Sequence, residues 1–321
     1  MKISIIITTY NRADDLWQCL DSIACQRKKP EEVIVVDNGT GPETEMLARE
    51  LEPRFEELQI SLRYLRNGKG NSLTVARNQG VRESKGDIVL FLDDDVVLDG
   101  DYICQIDKVY QENPDAVGVQ GYFKIGKISL SGNLLRRFFF LFHYEKDACR
   151  VLRSVTATYP YKLGKIISCE WLSGANHSWK KGIVNIEYDE NLKKYSEGED
   201  LDFSYRLFKQ YPGRLFITPF AKLIHKASPG GRMMSQDLAF MTEVYGLYLF
   251  FKLFGSGRHG LALFVWSRIG KVFVSILQAA YGFSFDKLRE AGLFLQASFY
   301  SLYHIKEIKQ GDLSFFNGKL K

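Results

Sequence analysis

The sequence predicts an α/β fold: a mostly parallel sheet with helices on both faces. Apolar runs at residues 3–7, 33–36 and 88–92, and an alternating stretch with Ile60, Leu62 and Tyr64, are followed by polar loops and helical patterns along the chain. Continuous apolar runs are typical of strands buried on both faces. The alternation favours parallel pairing through right-handed crossovers, so the loops after the strands meet at one edge of the sheet. In open α/β sheets, that edge is where ligands bind.

The segments between these strands carry helix signals. Leu16, Leu20 and Ile23 recur at helical spacing, and Pro42 fits the first position of a helix that runs to about residue 57. Further elements are predicted as helices over about 72–84, 99–113 and 201–210 and as strands over 117–123 and 215–217, the last of them before Pro219. Residues 126–165 have no clear pattern.

Three carboxylates, Asp93, Asp94 and Asp95, directly follow the apolar run 88–92. Adjacent carboxylates raise one another's pKa unless a cation lies between them. A hard divalent ion that bridges carboxylates to diphosphate oxygens would remove the repulsion. The alternative is a solvated acidic turn in which Asp95 or Asp99 caps a helix.

Composition excludes several classes of protein. The 321 residues are 45% hydrophobic and 25% charged, as in ordinary globular proteins, and the net charge of +5 is too small to indicate a nucleic-acid partner. The five cysteines are scattered without a C-x-x-C pair, which favours a reduced, cytosolic setting without disulfides or zinc. Lys2 leads directly into the first strand, so we expect no signal peptide.

The C-terminal segment differs in composition, so we expect a catalytic domain over 1–235 and a helical, basic-amphipathic extension over 236–321. Residues 251–321 carry 10 basic and 4 acidic side chains, whereas the rest of the chain is balanced. Residues 261–283 are apolar except for a narrow polar stripe: Arg268, Lys271, Ser275 and Gln278. Each central charge would cost about 2.5–3.5 kcal/mol in a spanning helix. The segment therefore either lies among lipid headgroups or packs on the catalytic domain with its stripe in water.

Residues 134–142 are unusually aromatic and basic, and they form either core or a surface that meets lipid or a partner. Trp171 opens a segment, 171–176, that reads as a strand end or a turn.

Five segments together resemble the family 2 glycosyltransferases, the large inverting group with the GT-A fold. They are Thr8-Thr9-Tyr10-Asn11-Arg12, Val35-Val36-Asp37-Asn38-Gly39, the stretch from Asn67-Gly68 through Ala76-Arg77-Asn78-Gln79-Gly80, Phe91-Leu92-Asp93-Asp94-Asp95, and Gly198-Glu199-Asp200-Leu201-Asp202-Phe203-Ser204. The resemblance covers about residues 3–232. It implies a Rossmann-like domain that binds a nucleotide-diphosphate sugar.

The resemblance implies a donor site. Thr8, Tyr10 and Arg12 would line the nucleotide pocket. Asp37 would accept a hydrogen bond from the base, which suits the imide N–H of uracil or thymine; alternatively, it caps its own turn. The remaining donor contacts would come from Arg77, whose alternative is a helix-surface ion pair, from Asp93 and Asp94 of the acidic cluster, and from Arg232 after two glycines.

The same resemblance implies a metal site and a base. Asp95 and Asp93, with His225 as a third ligand, would hold Mg or Mn; the alternative for His225 is a solvent-facing loop. Asp200 would be the general base, or merely a helix N-cap.

Glu199 would be a catalytic residue beside Asp200 or would instead contact the acceptor, and Trp171 would stack on a sugar face of the acceptor or pack in the core.

The expected activity is sugar transfer with inversion from a UDP- or dTDP-sugar to a glycan or lipid-linked acceptor, in cell-surface polysaccharide or glycoconjugate synthesis. We expect a cytoplasmic protein, peripheral at the inner face of the cell membrane, with an anionic surface as partner of 236–321. The sequence lacks a Q-x-x-R-W segment, which argues against a processive synthase. The alternatives are a catalytically silent relative that binds glycan or scaffolds a complex, and a nucleotidyltransferase, which would need a glycine-rich basic loop after the first strand.

Overall fold

A computed structural model describes residues 1–123, 126–228 and 235–320. The strands are β1 Ile3–Thr9, β2 Glu32–Asp37, β3 Ser61–Arg66, β4 Ile88–Asp93, β5 Val96–Leu98, β6 Gly118–Phe123, β7 His143–Glu145, β8 Val151–Leu152, β9 Thr156–Pro160, β10 Ile167–Ser168, β11 Asn176–Lys180 and β12 Leu215–His225. The helices are α1 Ala13–Ala24, α2 Glu43–Glu57, α3 Leu73–Glu83, α4 Tyr102–Glu112, α5 Leu130–Phe138, α6 Glu199–Gln210, α7 Ser235–Phe254, α8 Arg258–Gly282, α9 Phe285–Tyr303, α10 Ile305–Gln310 and α11 Ser314–Asn317.

The main sheet has the strand order β10-β12-β6-β11-β4-β1-β2-β3, with β5 paired to β12. Strands β3, β2, β1 and β4 are parallel, as predicted. Strand β11 lies antiparallel between β4 and β6, and it connects the predicted parallel part to the rest of the sheet. A second sheet, β7-β9-β8, forms from the segment that had no clear pattern.

Helices cover both faces of the sheet because alternate strand residues point to opposite sides. On one face, Ile5, Ile7 and Val35 pack in a core with α1, α2 and α4. On the other face, Ile6 and Phe91 belong to a second core that includes residues of α3, α6 and α7. The predicted fold class is therefore confirmed.

Strand β12 continues through Pro219, where the sequence predicts an end after residue 217. Pairing with β6 shifts register between Ile217 and Lys222. Proline has no N–H for a sheet ladder and is tolerated at such irregularities. As a result, His225 ends a strand and pairs with Val96 instead of lying in a free loop.

The helices after residue 235 pack directly on the catalytic domain. Eight apolar side chains of α7 are buried in the second core: Met241, Val244, Tyr245, Leu247, Tyr248, Leu249, Phe250 and Leu253. Lys252 of α7 lies 2.6 Å from Asp189 and 2.9 Å from Asp202. Helix α7 is thus part of the packing of the catalytic domain.

Arg268, Lys271 and Ser275 of the α8 polar stripe face the protein, so the prediction that this stripe lies in water is wrong for them; only Gln278 of the stripe is exposed. Ser275 is buried, and only 11% of the Arg268 side chain and 24% of the Lys271 side chain are exposed. The physical reason is Glu243 of α7, a buried carboxylate that pairs with both cations. Conversely, the outer surface of α8 is apolar, with six large apolar side chains exposed: Val265, Trp266, Ile269, Phe273, Ile276 and Tyr281. Helix α8 is long and apolar enough to cross a bilayer, although core helices pass the same test.

The aromatic segment 134–142 divides between core and surface. Phe139 and Leu141 are buried, whereas Leu134, Phe138 and Phe140 are exposed. Trp266 of α8 donates its indole N–H to the Phe138 carbonyl, at 3.1 Å. The exposed apolar surfaces of α5 and α8 therefore adjoin.

Candidate active site

A cavity of about 710 Å³ opens at the carboxyl ends of β1 and β4. It brings together most of the predicted site residues: Thr8, Tyr10, Arg12, Arg77, Asp93, Asp94, Asp95, Trp171, Glu199, Asp200 and His225. Asp37 does not line it, although its neighbour Asn38 does. Arg232 lies outside the described residues. Loops far apart in sequence thus converge where the parallel sheet topology places them.

Asp93, Asp95 and His225 offer ligand atoms that all lie within 4.8 Å of one another. His225 Nε2 is 3.1 Å from Asp95 Oδ1 and 3.9 Å from Asp93 Oδ2. Burial opposes the charge of Asp95, but hydrogen bonds from His225 and the Ser228 N–H outweigh it, so its pKa lies below its ordinary value. The two carboxylates suit Mg²⁺ or Mn²⁺, and an imidazole nitrogen is a ligand of transition metals, so this donor set fits a divalent ion and favours Mn²⁺ of the two.

Asp94 points away from this group and holds the loop after β1. Its carboxylate accepts hydrogen bonds from the Thr9 hydroxyl at 2.8 Å and from Arg12 Nη1 at 3.0 Å. Burial raises the pKa of Asp94 to about 6, and Arg12 opposes this rise. Asp94 and Arg12 therefore bind each other, and both position the loop after β1.

Arg77 is buried in the interior, so the alternative of a helix-surface ion pair is wrong. Its Nη1 donates to Glu199 Oε1 at 2.6 Å, and its Nη2 donates to the Gly174 carbonyl at 3.1 Å. Asp93 Oδ1 lies 3.7 Å from the same guanidinium. Burial raises the pKa of Glu199 above its ordinary value, and the adjacent Arg77 cation opposes this rise and favours the carboxylate. Arg77 therefore ties the acidic edge of the sheet to the start of α6.

Asp200 lies in the first turn of α6 and lines the cavity, but it does not cap the helix, whose N-cap is Gly198. The Gly174 N–H donates to Asp200 Oδ2 at 2.9 Å, and the Leu201 N–H donates to Oδ1 at 2.7 Å. The positive end of a helix dipole stabilises a carboxylate here. Asp200 is thus held in place with lone pairs left for a proton donor.

The Asp37 carboxylate is fully buried and already bonded. The Gly39 N–H donates to Oδ1 at 2.7 Å, and the Tyr64 hydroxyl donates to Oδ2 at 2.9 Å. Arg66 Nη1 lies 3.5 Å from Oδ2. In this arrangement, Asp37 stabilises its own turn, which is the alternative stated in the sequence analysis. A nucleobase could bind the carboxylate only after the side chain moves.

Trp171 lines the cavity, but most of its indole is in the core, with 7% exposed. Its N–H donates to the Thr158 carbonyl at 3.0 Å, so the polar atom is used internally. This position matches the alternative that Trp171 packs in the core, and only an edge of the indole faces the cavity.

Sequence reasoning missed three residues of the site. Thr9 binds Asp94, Gly174 contacts both Arg77 and Asp200, and Glu197 lines the cavity next to the start of α6. Glu197 belongs to an acidic group with Glu199 and Asp200, which is a signal that the sequence does contain. The position of Gly174 has no such signal, because its role depends on the packing of α3 against α6.

Comparison with known proteins found similarity in sequence and in fold. The profile described as "Glycosyl transferase family 2" matches residues 4–168. The uncharacterized glycosyltransferase YwdF of Bacillus subtilis is 42% identical over 251 residues, which cover 76% of this chain and 81% of YwdF. Glycosyltransferase AglE of Haloferax volcanii is 36% identical over 95 residues, which cover 29% of this chain and only 30% of AglE.

The fold is also that of a solved structure, the mannosyltransferase PcManGT from Pyrobaculum calidifontis in complex with GDP-Man and Mn²⁺. The TM-score is 0.58 at 15% identity, and the match covers 94% of this chain and 87% of that one. Its Rossmann-like GT-A fold, the family profile and the YwdF match lead to one assignment. The chain belongs to glycosyltransferase family 2.

Proposed function

We propose that this protein is a metal-dependent, inverting glycosyltransferase. It moves a sugar from a nucleoside diphosphate sugar to a hydroxyl of a glycan or lipid-linked acceptor, in the synthesis of cell-surface polysaccharide or glycoconjugate. The observation that carries the proposal is that Asp200 and the group of Asp93, Asp95 and His225 line one cavity. A catalytically silent relative would have no need to keep both in that arrangement.

The donor diphosphate would lie beside Asp93, Asp95 and His225. A divalent ion held by these three residues would supply the positive charge that a leaving diphosphate needs. The presence of Mn²⁺ with GDP-Man in PcManGT supports this choice of ion. The β1 loop, held by the bonds of Asp94 to Thr9 and Arg12, would form the nucleotide side of the pocket.

Asp200 would act as the general base. Its carboxylate takes the proton of the acceptor hydroxyl as that oxygen attacks the anomeric carbon from the face opposite the diphosphate. The new glycosidic C–O bond forms, the bond to the diphosphate oxygen breaks with its electron pair, and the configuration inverts. Glu199, already paired with Arg77, would position Asp200 and the 174 loop.

For the base of the donor, we propose uracil or thymine. Its imide N–H would donate to Asp37 in place of the hydrogen bond that the Tyr64 hydroxyl or the Gly39 N–H now donates. Arg232 would contribute to the diphosphate site, and an edge of Trp171 would meet the acceptor.

We also propose that the protein acts at the inner face of the cell membrane. The outward side chains of α8, including Trp266, Ile269 and Phe273, form an apolar surface that no described residue covers. Exposed Leu134 and Phe138 of α5 extend it. Arg137 on α5 and Arg289 on α9 would supply charges for anionic headgroups. In this proposal, residues 236–321 complete the packing of the 1–235 catalytic domain and carry most of the membrane surface.

The experiment is a binding and turnover series. We expect UDP or dTDP, with Mg²⁺ or Mn²⁺, to raise the melting temperature of the wild type more than GDP does. Asp95→Asn should abolish the metal-dependent part of that shift. Asp200→Asn should keep the shift but lower turnover about 100-fold or more, as expected for loss of a general base.

Asp101→Asn, which removes an exposed carboxylate outside the cavity, is the control and should behave as wild type. Metal-dependent nucleotide binding by Asp95→Asn, or near-normal turnover by Asp200→Asn, would refute the assigned roles.

A further inference from the structure

A second cavity, of about 480 Å³, lies between the catalytic domain and helices α7, α8 and α9. The two cavities share five lining residues, so they adjoin: Phe142, Val155, Thr156, Glu197 and Gly198. Glu197 and Gly198 immediately precede Glu199 and Asp200 in the chain. A molecule whose hydroxyl reaches Asp200 can therefore extend past Glu197 into the second cavity.

The polar stripe of α8 lines this second cavity with basic groups. Arg268 and Lys271 share one counter-ion, Glu243 Oε1, at 3.3 and 3.8 Å. Glu243 also accepts a hydrogen bond from the Ser298 hydroxyl at 3.1 Å. Two cations against one carboxylate leave a positive excess at this wall.

The Lys271 ammonium is the group of the stripe that retains free donors. Its distance to Glu243, 3.8 Å, is beyond hydrogen-bond length, and its other close neighbour is the Phe294 ring, 3.8 Å from Nζ to the centroid. Arg268, by contrast, donates to Ser154 O at 2.9 Å as well as to Glu243. A cation held in a cavity with donors to spare is an anion-binding group.

Two other cations face the same space. Arg136 of α5 lines the cavity and has no carboxylate within ion-pair distance among residues 1–123, 126–228 and 235–320. Lys287 lines it too but is neutralised by Glu290 at 2.5 Å. Thr242, Ser275 and Gln278 add neutral hydrogen-bonding groups. The cavity is surrounded by four cations, Arg136, Arg268, Lys271 and Lys287, and by three carboxylates, Glu197, Glu243 and Glu290. The net charge of these groups is therefore positive.

We propose that the second cavity binds a phosphate group of the acceptor, with Lys271 and Arg136 as its ligands. The inference rests on the proposed function and adds the chemical class of the acceptor: a hydroxyl compound that carries a phosphate ester. Several donors around one anion suit a tetrahedral phosphate, which accepts hydrogen bonds on three oxygens. Glu197 at the junction keeps that anion on the side away from the carboxylates of the metal group.

The test measures phosphate binding without donor or sugar transfer, so it is independent of the catalytic assignment. Inorganic phosphate is titrated into the full-length protein at constant ionic strength, and the melting temperature is followed. We expect a saturable rise in the wild type and about tenfold or more weaker binding in Lys271→Gln and in Arg136→Gln, as for loss of one charge-assisted hydrogen bond. Lys271→Arg should keep most of the binding.

The matched control is Arg12→Gln, which alters the first cavity. Binding that is lost in Arg12→Gln and unchanged in the Lys271 and Arg136 variants would overturn the proposal, as would a wild type without a saturable response. Arg136 is only partly buried, so its variant tests the site even if Lys271→Gln fails to fold.

Two further titrations distinguish the source of the phosphate. A soluble acceptor predicts that glycerol 3-phosphate binds as inorganic phosphate does. A lipid headgroup predicts that vesicles of phosphatidic acid displace inorganic phosphate and that glycerol 3-phosphate binds more weakly. Failure of both to compete with inorganic phosphate in the wild type would exclude a phosphate-ester acceptor at this site.

Discussion

Arg77 of α3 and Glu199 of α6 form a buried ion pair of 2.6 Å across 122 residues of sequence. The guanidinium also packs over the rings of Phe91 and Tyr188, at 5.6 and 5.3 Å. One cation therefore joins α3, the acidic end of β4, the 174 loop and the start of α6. The position of Asp200 depends on Arg77, because Gly174 accepts a hydrogen bond from Arg77 and donates one to Asp200.

We expect Arg77→Met to lower the free energy of unfolding by about 3 kcal/mol or more, since it leaves Glu199 buried without its cation. Urea denaturation measures this change. Arg82→Met on the same helix is the control. Its ion pair with Glu187 is exposed, so the loss should stay below about 1 kcal/mol. Equal losses in the two variants would mean that the buried pair contributes nothing special.

Gly174→Ala should reduce turnover while the protein stays folded. An added Cβ would lie 3.1 Å from Arg77 Nη2, 3.2 Å from Glu199 Oε1 and 3.4 Å from Asp200 Oδ2, so these polar groups must shift by a few tenths of an ångström. We expect kcat to fall about tenfold or more, because small misplacements of reacting groups are costly. Gly100→Ala, where a Cβ meets nothing within 4 Å, is the control and should keep wild-type kcat. Full activity in Gly174→Ala would show that Asp200 tolerates displacement.

His177 makes stability depend on pH. Burial lowers its pKa to about 3, while the side chain bonds Ser173 O at 2.9 Å and the Tyr188 hydroxyl at 2.5 Å. Below the unfolded-state pKa of about 6.5, the unfolded chain binds a proton that the folded chain does not. Stability is therefore lost as pH falls from about 6.5 towards 3, by about 2.5 kcal/mol between pH 7 and pH 4.5.

Urea denaturation of His177→Gln across this range should show a shallower decline than the wild type. His259→Gln, which removes an exposed imidazole, is the matched control and should keep the wild-type slope. Identical slopes for wild type and His177→Gln would contradict a neutral buried imidazole.

The apolar outer face of α8 can be tested without disturbing the core. Ile269 and Ile276 are 53% and 44% exposed, so Ile269→Glu with Ile276→Glu should fold normally and bind anionic vesicles at least about tenfold more weakly. Vesicle co-sedimentation measures this. Met46→Glu, on an exposed site of α2, is the control. Deletion of 236–321 is unsuitable, because α7 contributes buried side chains to the core. Unchanged sedimentation of the double variant would exclude this face.

The sequence predicts those elements whose pattern is local, and it misses those whose burial depends on residues elsewhere in the chain. Strands β1, β2 and β4 contain runs of consecutive apolar residues, and β3 alternates apolar with polar residues, so the order of these four strands was evident from the sequence. Strand β11 was not, because Asn176, His177 and Ser178 look like loop residues. They are buried, and Ser178 forms hydrogen bonds with Val119 and Tyr110, which lie 59 and 68 residues away in the chain.

The sequence by itself determined the fold class, the family and the gathering of the acidic residues at the edge of the sheet, since apolar periodicity and loop motifs are local properties. Only the tertiary structure decided that Arg77 is buried and that the stripe with Arg268 and Lys271 points inward. The reason is that a cation is buried at low cost only next to an opposite charge. Glu199 and Glu243 supply that charge, and they come from other helices that pack against α3 and α8. The sequence pattern of α3 or α8 alone does not show that Glu199 or Glu243 lies next to its cation.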